Sequence, residues 1–201
     1  MIYLLRHGET EWNREGRLQG HRDSPLTERG LSQAVAMGGA LRRAAGEASG
    51  FTLVSSPLGR TLATARCVAA VIGSDPAEIV EEPRLMEHGF GSWEGEIFAE
   101  VEDLHPDEWR AREADKWNYR VPGGESYALV AERVGAWLAE QPEDARLIVV
   151  SHGLAGRVLR ALYSGAPSGD VFKMAEPQDA LFRLSGGTIE SLPASLGALA
   201  G

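Results

Sequence analysis

Three short, mainly apolar runs constrain the fold of this chain more than any other feature of its sequence. They span residues 2–5, 51–55 and 147–150, and each has the length and composition of a strand that is buried in a sheet. Segments with apolar residues at helical spacing alternate with these runs. Such alternation predicts an α/β protein with three layers, in which a mostly parallel mixed sheet carries helices on both faces.

Four helices are predicted from this spacing. Thr27 is a suitable N-cap for the first, whose apolar stripe lies within residues 31–41, and a polar, glycine-rich loop is expected between the first strand and this helix. The second has its stripe within residues 62–72, Ser126 is a suitable cap for the third, and the fourth covers residues 153–162. These helices would cover the two faces of the sheet.

The sequence as a whole predicts a single domain over residues 1–201, interrupted by one insertion. Three further features complete the outline: a hairpin of strands 180–184 and 187–192 that turns at Ser185-Gly186, a small inserted cap at residues 84–125, and a frayed tail at residues 193–201. The cap holds three of the five tryptophans and breaks the alternation of strand and helix. We expect it to cover a binding site.

Charge and composition exclude several classes of protein. The net charge of −9 gives no general affinity for nucleic acid or for an anionic membrane, so an anionic ligand requires a local cluster of cations. Cys67 is the single cysteine, which excludes an internal disulfide and a multi-cysteine metal site. No apolar stretch approaches the roughly 20 residues of a membrane span, and no signal peptide is apparent. We therefore expect a cytoplasmic enzyme or binding domain.

Charged residues follow each of the three apolar runs. Arg6 and His7 come directly after the first, Arg60 follows the second closely, and His152 follows the third. Ligands of open α/β sheets bind outside the carboxyl ends of the strands, so we expect these four side chains in one pocket. Two guanidiniums, two imidazoles and the positive end of the helix after His152 suit a phosphate. A single such residue is most often structural, but a buried unpaired arginine costs several kcal/mol, and the repeated arrangement indicates an anionic ligand.

The same clusters resemble the motifs of a known family. Residues 4–13, which contain Arg6-His7-Gly8-Glu9, resemble the RHG signature of the histidine phosphatase (phosphoglycerate mutase-like) superfamily. Further blocks are similar to that family and occur in its order: residues 16–20, 23–27 with Gly30, 55–61 with Thr64-Ala65, 87–95, 123–126 and 150–153. One departure is Leu58-Gly59, where family members often have other residues. The blocks cover most of the chain to about residue 162.

The resemblance implies a mixed sheet with a small cap and a role for each matching residue. His7 would be the nucleophile that carries the phosphoryl group, and Glu87 would be the general acid and base. Residues expected to bind the substrate phosphate are Arg6, Asn13, Gln19, Gly20, Arg60, His152 and Gly153. The resemblance alone singles out Glu87, because other glutamates lie in the neighbouring motifs.

The chemistry of these residue types suits the implied roles. A neutral imidazole such as that of His7 can attack phosphorus and split one transfer into two steps. The transferring phosphoryl group needs fixed positive donors, which Arg6 and Arg60 supply at any working pH, and a protonated His152 would add another. Glu87 could protonate the leaving oxygen and then take a proton from water.

Metal chemistry is the obvious rival for a chain with five histidines. The histidines show no HExxH or comparable pattern, and the acidic residues lack the spacing of an EF-hand. Cations already surround the expected phosphate position, which would make a metal redundant. We therefore expect no cofactor.

Three functions remain open: hydrolysis of a small organic phosphate monoester, mutase-type phosphoryl transfer, and non-catalytic binding of a phosphorylated ligand. The third is disfavoured because His7 and its expected ligands are all present. The mutase branch of the family is characterised by adjacent arginines and a longer cap. In this chain, the cations of residues 109–120 are instead interleaved with Glu113 and Asp115, as on a solvated helix face. We favour the phosphatase, although Lys116 and Arg120 could meet an anionic tail. The expected partner is a small-molecule phosphate ester, and a homodimer is one option for the assembly.

Overall fold

The protein's architecture was obtained as a computed structural model, which describes residues 1–46 and 50–194. Most of the predicted frayed tail, residues 195–201, lies outside the described residues. The two described residues of that tail are ordered by neighbours: Pro193 ends the last strand, and Ala194 is buried and donates its N–H to the Asp179 carbonyl.

A six-stranded mixed sheet forms the centre of the molecule, with strand order β3-β2-β4-β1-β5-β6. Its strands are β1 (Ile2–Arg6), β2 (Thr52–Ser55), β3 (Val80–Glu81), β4 (Leu147–Ser151), β5 (Ala180–Ser185) and β6 (Thr188–Pro193). The first four run parallel to their neighbours among themselves, and β5 and β6 are antiparallel. The predicted α/β fold with a mostly parallel mixed sheet is confirmed, and the short edge strand β3 is an addition that the sequence pattern did not indicate.

Helices cover both faces of this sheet. The α-helices are α1 (Glu11–Glu15), α2 (Glu28–Ala45), α3 (Gly59–Ile72), α4 (Val101–Leu104), α5 (Pro106–Ala114), α6 (Tyr127–Ala139) and α7 (Gly153–Ser164). Tyr3 and Leu5 of β1 face a core with α2 and α3, whereas Ile2 and Leu4 face a core with α6 and α7. This alternation follows from the two-residue period of a strand and confirms the three layers.

The loop predicted after β1 contains the short helix α1. Thr10 caps it by accepting a hydrogen bond from the Asn13 N–H (3.1 Å), and the Asn13 side chain accepts one from the Thr10 N–H (3.1 Å). This reciprocal cap stabilises a helix too short to show an apolar stripe. The loop prediction was therefore wrong at residues 11–15.

Residues 84–125, predicted as a cap, contain α4, α5 and several 3₁₀ turns. A small apolar cluster of their own, around Trp93, Val101 and Val121, holds these short elements together. None of the helices in the described part of the chain is both long and apolar enough to cross a membrane.

Candidate active site

A central cavity of about 390 Å³ opens at the carboxyl edge of the parallel strands. Seven of the nine predicted site residues line it: Arg6, His7, Asn13, Gln19, Gly20, Arg60 and Glu87. His152 lies directly behind this lining, with its ring centroid 5.3 Å from that of His7. The shared sheet edge thus brings the strand-end residues together, as expected from the topology rule for ligand sites.

His7 is held as a neutral ring with one nitrogen free. Its Nδ1 lies 2.7 Å from the Gly8 carbonyl oxygen, which can only accept, so Nδ1 carries the proton. Burial, together with the nearby guanidiniums of Arg60 and Arg6, lowers the pKa of His7 well below its ordinary value. The unprotonated Nε2 is therefore available as a nucleophile at neutral pH.

Arg60 is fixed by protein oxygens that bind its Nη1 and Nη2 atoms. Its Nη1 donates to the Arg22 carbonyl (2.7 Å) and to Asp23 Oδ1 (2.9 Å), and its Nη2 donates to the Gly20 carbonyl (2.8 Å). Arg6 is tied in a similar way, through Nη1, to the Glu176 carbonyl. The Nε atoms of both arginines are buried without a hydrogen-bond partner. Such donors each cost about 1–3 kcal/mol when left unsatisfied.

His152 is oriented by a buried serine. Its Nε2 lies 2.8 Å from Ser56 Oγ, and its Nδ1 has no partner. Burial, followed by the charge of Arg60, lowers the pKa of His152 well below its ordinary value. In the ligand-free site both histidines are uncharged, so the positive charge there belongs to the arginines.

The carboxylate of Glu87 lies at the N-terminus of helix α7. Its carboxylate accepts hydrogen bonds from the N–H groups of Leu154 (3.3 Å), Ala155 (3.1 Å) and its own neighbour His88 (3.0 Å). The Leu154 and Ala155 amides are two of the N–H groups that a helix N-terminus leaves without partners. The N-terminus of this helix was expected to face the phosphate, but two of its free N–H groups bind the Glu87 carboxylate instead.

Asn13 and Gln19 form a polar wall of the central cavity. Gln19 is buried and donates from Nε2 to Thr10 Oγ1 (2.8 Å), while its Oε1 has no partner. Turning this amide over would keep a bond to the Thr10 hydroxyl and present the NH₂ group to an anion. Asn13 Oδ1 also accepts from Gln178 (3.1 Å), whose amide reaches the His7 carbonyl (3.3 Å).

Comparison with known proteins fits this geometry. The sequence model of the family described as "Histidine phosphatase superfamily (branch 1)" matches residues 2–186. The chain belongs to this superfamily. The predicted family and the predicted enzyme class, a histidine phosphatase, are thereby confirmed.

Several relatives in the superfamily are similar over most of the chain. A Salmonella paratyphi B protein named "Probable phosphoglycerate mutase GpmB" is 39% identical over 174 residues, which cover 83% of this chain and 76% of that protein. Among solved structures, a mycobacterial glucosyl-3-phosphoglycerate phosphatase complexed with VO3 has a TM-score of 0.74 at 26% identity, covering 96% of this chain and 97% of the other. The alpha-ribazole phosphatase of Shigella flexneri has a TM-score of 0.81 at 24% identity, covering 97% and 96%, and shows the shared fold.

The two glycines predicted at the site, Gly20 and Gly153, allow close packing here. Gly20 has a φ of +53°, and a Cβ on it would lie 2.1 Å from Glu94 Oε1. A Cβ on Gly153 would lie 2.3 Å from Glu176 Oε2. Any side chain at either position would push a glutamate out of place. Their direct contact with a phosphate stays a prediction.

The cap supplies one cation that the sequence patterns did not single out, Arg112. Arg112 of α5 has only 9% of its surface exposed and lines the central cavity, so the interpretation of residues 109–120 as a solvated face was wrong for this residue. Lys116 lines the cavity too, whereas Arg120 donates to the Gly124 carbonyl (2.7 Å) and lies outside this lining. Trp109, three residues before Arg112, stacks 5.0 Å from its guanidinium. The three-residue spacing of Trp109 and Arg112, which places them on one face of α5, was the available signal.

Further lining residues complete the central cavity of this superfamily member. The cations are Arg17 and Arg157, and the aromatic residues are Phe90, Phe98, Tyr127 and Phe172. The lining of the cavity is thus strongly cationic and partly aromatic. No group of three or more potential metal-binding side chains occurs among residues 1–46 and 50–194.

Proposed function

We propose that the protein hydrolyses a small phosphate monoester through a phosphohistidine on His7. The observation that carries this proposal is the Nδ1–H to Gly8 hydrogen bond, which leaves His7 Nε2 unprotonated beside two arginines with unpaired Nε donors. That combination supplies a nucleophile and the positive donors that a transferring phosphoryl group needs.

In the first step, Nε2 of His7 attacks phosphorus, the bond from phosphorus to the ester oxygen breaks, and Glu87 gives its proton to the departing alkoxide. Glu87 must therefore carry a proton when substrate is bound. In the second step, water attacks the phosphohistidine, Glu87 takes a proton from that water, and inorganic phosphate leaves His7 in its original state.

Trapping the intermediate tests this mechanism. Rapid quenching in an alkaline denaturant, after mixing with a ³²P-labelled ester at neutral pH, should leave label on His7 of the wild type that later acid treatment releases, and His7→Ala should carry none while melting at a similar temperature. Label on a serine or an aspartate would refute the mechanism. Glu87→Gln should slow an alkyl phosphate more than p-nitrophenyl phosphate, because nitrophenolate leaves without protonation.

The charges of the central cavity favour an ester with a second anionic group. Arg112 and Lys116 share a single carboxylate, that of Glu113, so together they keep a net positive charge at the cap end. Arg157 is paired with Glu176 (2.7 Å). A carboxylate or second phosphate on the substrate would be attracted to the Arg112–Lys116 pair.

Matched esters test this preference. With 3-phosphoglycerate and glycerol 3-phosphate as substrates, Arg112→Met should raise KM for the first about tenfold and for the second little, as expected for one charged hydrogen bond. Arg110→Met, an exposed change on the same helix, is the control. Equal effects of Arg112→Met on both esters would contradict the role.

Mutase activity is the second candidate, favoured by the 39% identical relative that bears a mutase name and by the buried cation Arg112. Conversion of 3-phosphoglycerate to 2-phosphoglycerate, primed with 2,3-bisphosphoglycerate, should be slower than hydrolysis of the best ester. Faster isomerisation than hydrolysis would replace the phosphatase proposal with this one.

A further inference from the structure

The segment that carries Glu87 lies outside every strand and α-helix of the described chain, following a 3₁₀ turn at Pro83–Leu85. Side chains bind its carbonyl groups instead. Arg133 of α6 donates from Nη1 to the carbonyls of Arg84 (2.7 Å) and Met86 (2.8 Å), and from Nη2 to that of Glu87 (2.8 Å). One guanidinium therefore fixes three carbonyls around the proposed proton donor.

Two further side chains complete this support. Ser151 Oγ donates to the Leu85 carbonyl (2.8 Å), and His21 Nε2 lies 2.9 Å from the Glu87 carbonyl. Four consecutive carbonyls, those of residues 84–87, are thus all bound by side chains from other elements. Because buried carbonyls need partners, the path of this segment depends on these donors.

Arg133 has no donor left over. Its Nε and Nη2 bind the two oxygens of Glu125 (both 2.8 Å), so all five N–H groups are used. Glu125 in turn accepts from the Gly89 N–H (2.9 Å), two residues beyond Glu87. Burial opposes the ionised form of Glu125, but the hydrogen bonds and charge of Arg133, together with His21 and the Gly89 N–H, hold the pKa of this carboxyl well below its ordinary value. Hydrogen bonds thus join the ion pair and the Glu87 segment into one unit.

We propose that Arg133 is the positioning residue that places the Glu87 carboxylate for proton transfer. The proposal rests on the proposed function of Glu87 as general acid and base. The fork geometry is essential, because the three hydrogens of a lysine ammonium radiate from one nitrogen and cannot bind three carbonyls and a carboxylate at once.

Leaving-group dependence tests this role. Arg133→Met should lower kcat for an alkyl phosphate about tenfold more than kcat for p-nitrophenyl phosphate, with KM changed little. Arg133→Lys should show the same unequal loss, because lysine cannot restore the wild-type ratio of the two kcat values. In a Glu87→Gln background, Arg133→Met should add no further discrimination between the two esters, because both changes remove the same proton transfer. Arg42→Met, on the exposed side of α2, is the control for loss of an arginine.

Amide hydrogen exchange gives a test that needs no turnover. The Leu154 and Ala155 amides sit in the first turn of α7, where Glu87 is their partner, so Arg133→Met and Arg133→Lys should speed their exchange about tenfold. The Val158 and Leu159 amides, inside the same helix, should exchange as before. A wild type that hydrolyses no ester would refute the proposed function alone. Unchanged exchange at Leu154 and Ala155, or equal losses of kcat on both esters, would overturn the positioning role.

Discussion

Two buried histidine rings meet edge to face at the sheet edge, with His7 lining the central cavity and His152 behind it, and their surroundings keep both uncharged at neutral pH. Burial is the larger cause for each, and the arginine charges add to it. His21 is the opposite case: the carboxylate of Glu125, 3.6 Å from its Nε2, raises its pKa above the ordinary value. One chain therefore holds histidines that titrate on either side of 6.5.

These opposite shifts can be read from one titration. In ligand-free protein, ¹⁵N spectra of the rings should show His7 neutral, with the proton on Nδ1, from pH 8 to below 6.5, the ordinary histidine pKa. His21 should gain its proton above pH 6.5 in the same samples. A midpoint near 6.5 for His7, or a proton on its Nε2, would contradict the proposed nucleophile.

Residues at strand ends could be predicted from the sequence, and residues on irregular segments could not. Arg6, His7 and His152 follow apolar strands, so topology alone brought them together. Glu87 lies on a segment whose path depends on distant side chains, so only the resemblance to a family could single it out. Arg112 was missed because the direction of a short cap helix is decided by tertiary packing.

At the scale of elements, the hairpin between β5 and β6 shows how glycine sets register. The turn was predicted at Ser185-Gly186, but Ser185 pairs with Thr188 and the turn residues are Gly186 and Gly187. Their φ angles are +55° and +75°, as a two-residue turn with two left-handed residues requires. The adjacent glycines meet that requirement, whereas a serine would be strained, so the predicted turn was wrong by one residue.

Substitutions in this turn should follow the backbone angles. Gly187→Ala should lower the free energy of unfolding by about 1 kcal/mol, because a Cβ is disfavoured at positive φ. Gly186→Asn should be nearly neutral, since asparagine tolerates this region. Urea unfolding of both variants measures the difference, and a Gly187→Ala variant as stable as wild type would refute the turn.

For the molecule as a whole, buried neutral histidines make folding sensitive to acid. Burial lowers the pKa of His88 to about 4, and both of its ring nitrogens lack partners. His7 and His152 are also depressed, so below pH 6.5 the unfolded chain binds three protons that the folded chain does not. The stability is therefore present above pH 6.5 and is lost as the pH falls. The raised pKa of His21 acts in the opposite direction, but its contribution is already complete below pH 6.5.

Denaturant unfolding between pH 6 and 5 should show this loss. The free energy of unfolding should fall by up to about 4 kcal/mol per pH unit, which is about 1.4 kcal/mol for each histidine. His88→Leu should reduce the slope by about a third and raise stability at pH 5.5. A stability that is constant from pH 7 to pH 5 would show that these rings accept protons without unfolding.

The order of strands in the sheet also has a consequence for synthesis. β1 carries His7 at its end, yet its partners β4 and β5 lie about 140 and 180 residues further along the chain. At roughly 5–20 residues per second, a ribosome needs on the order of 10 to 30 seconds to deliver the first of them. During that interval an apolar strand waits without a neighbour in the nascent chain. His7 is therefore translated early, but the sheet edge around it is assembled late. Chaperones that shield short apolar segments would need to protect β1 for a longer time than any other strand.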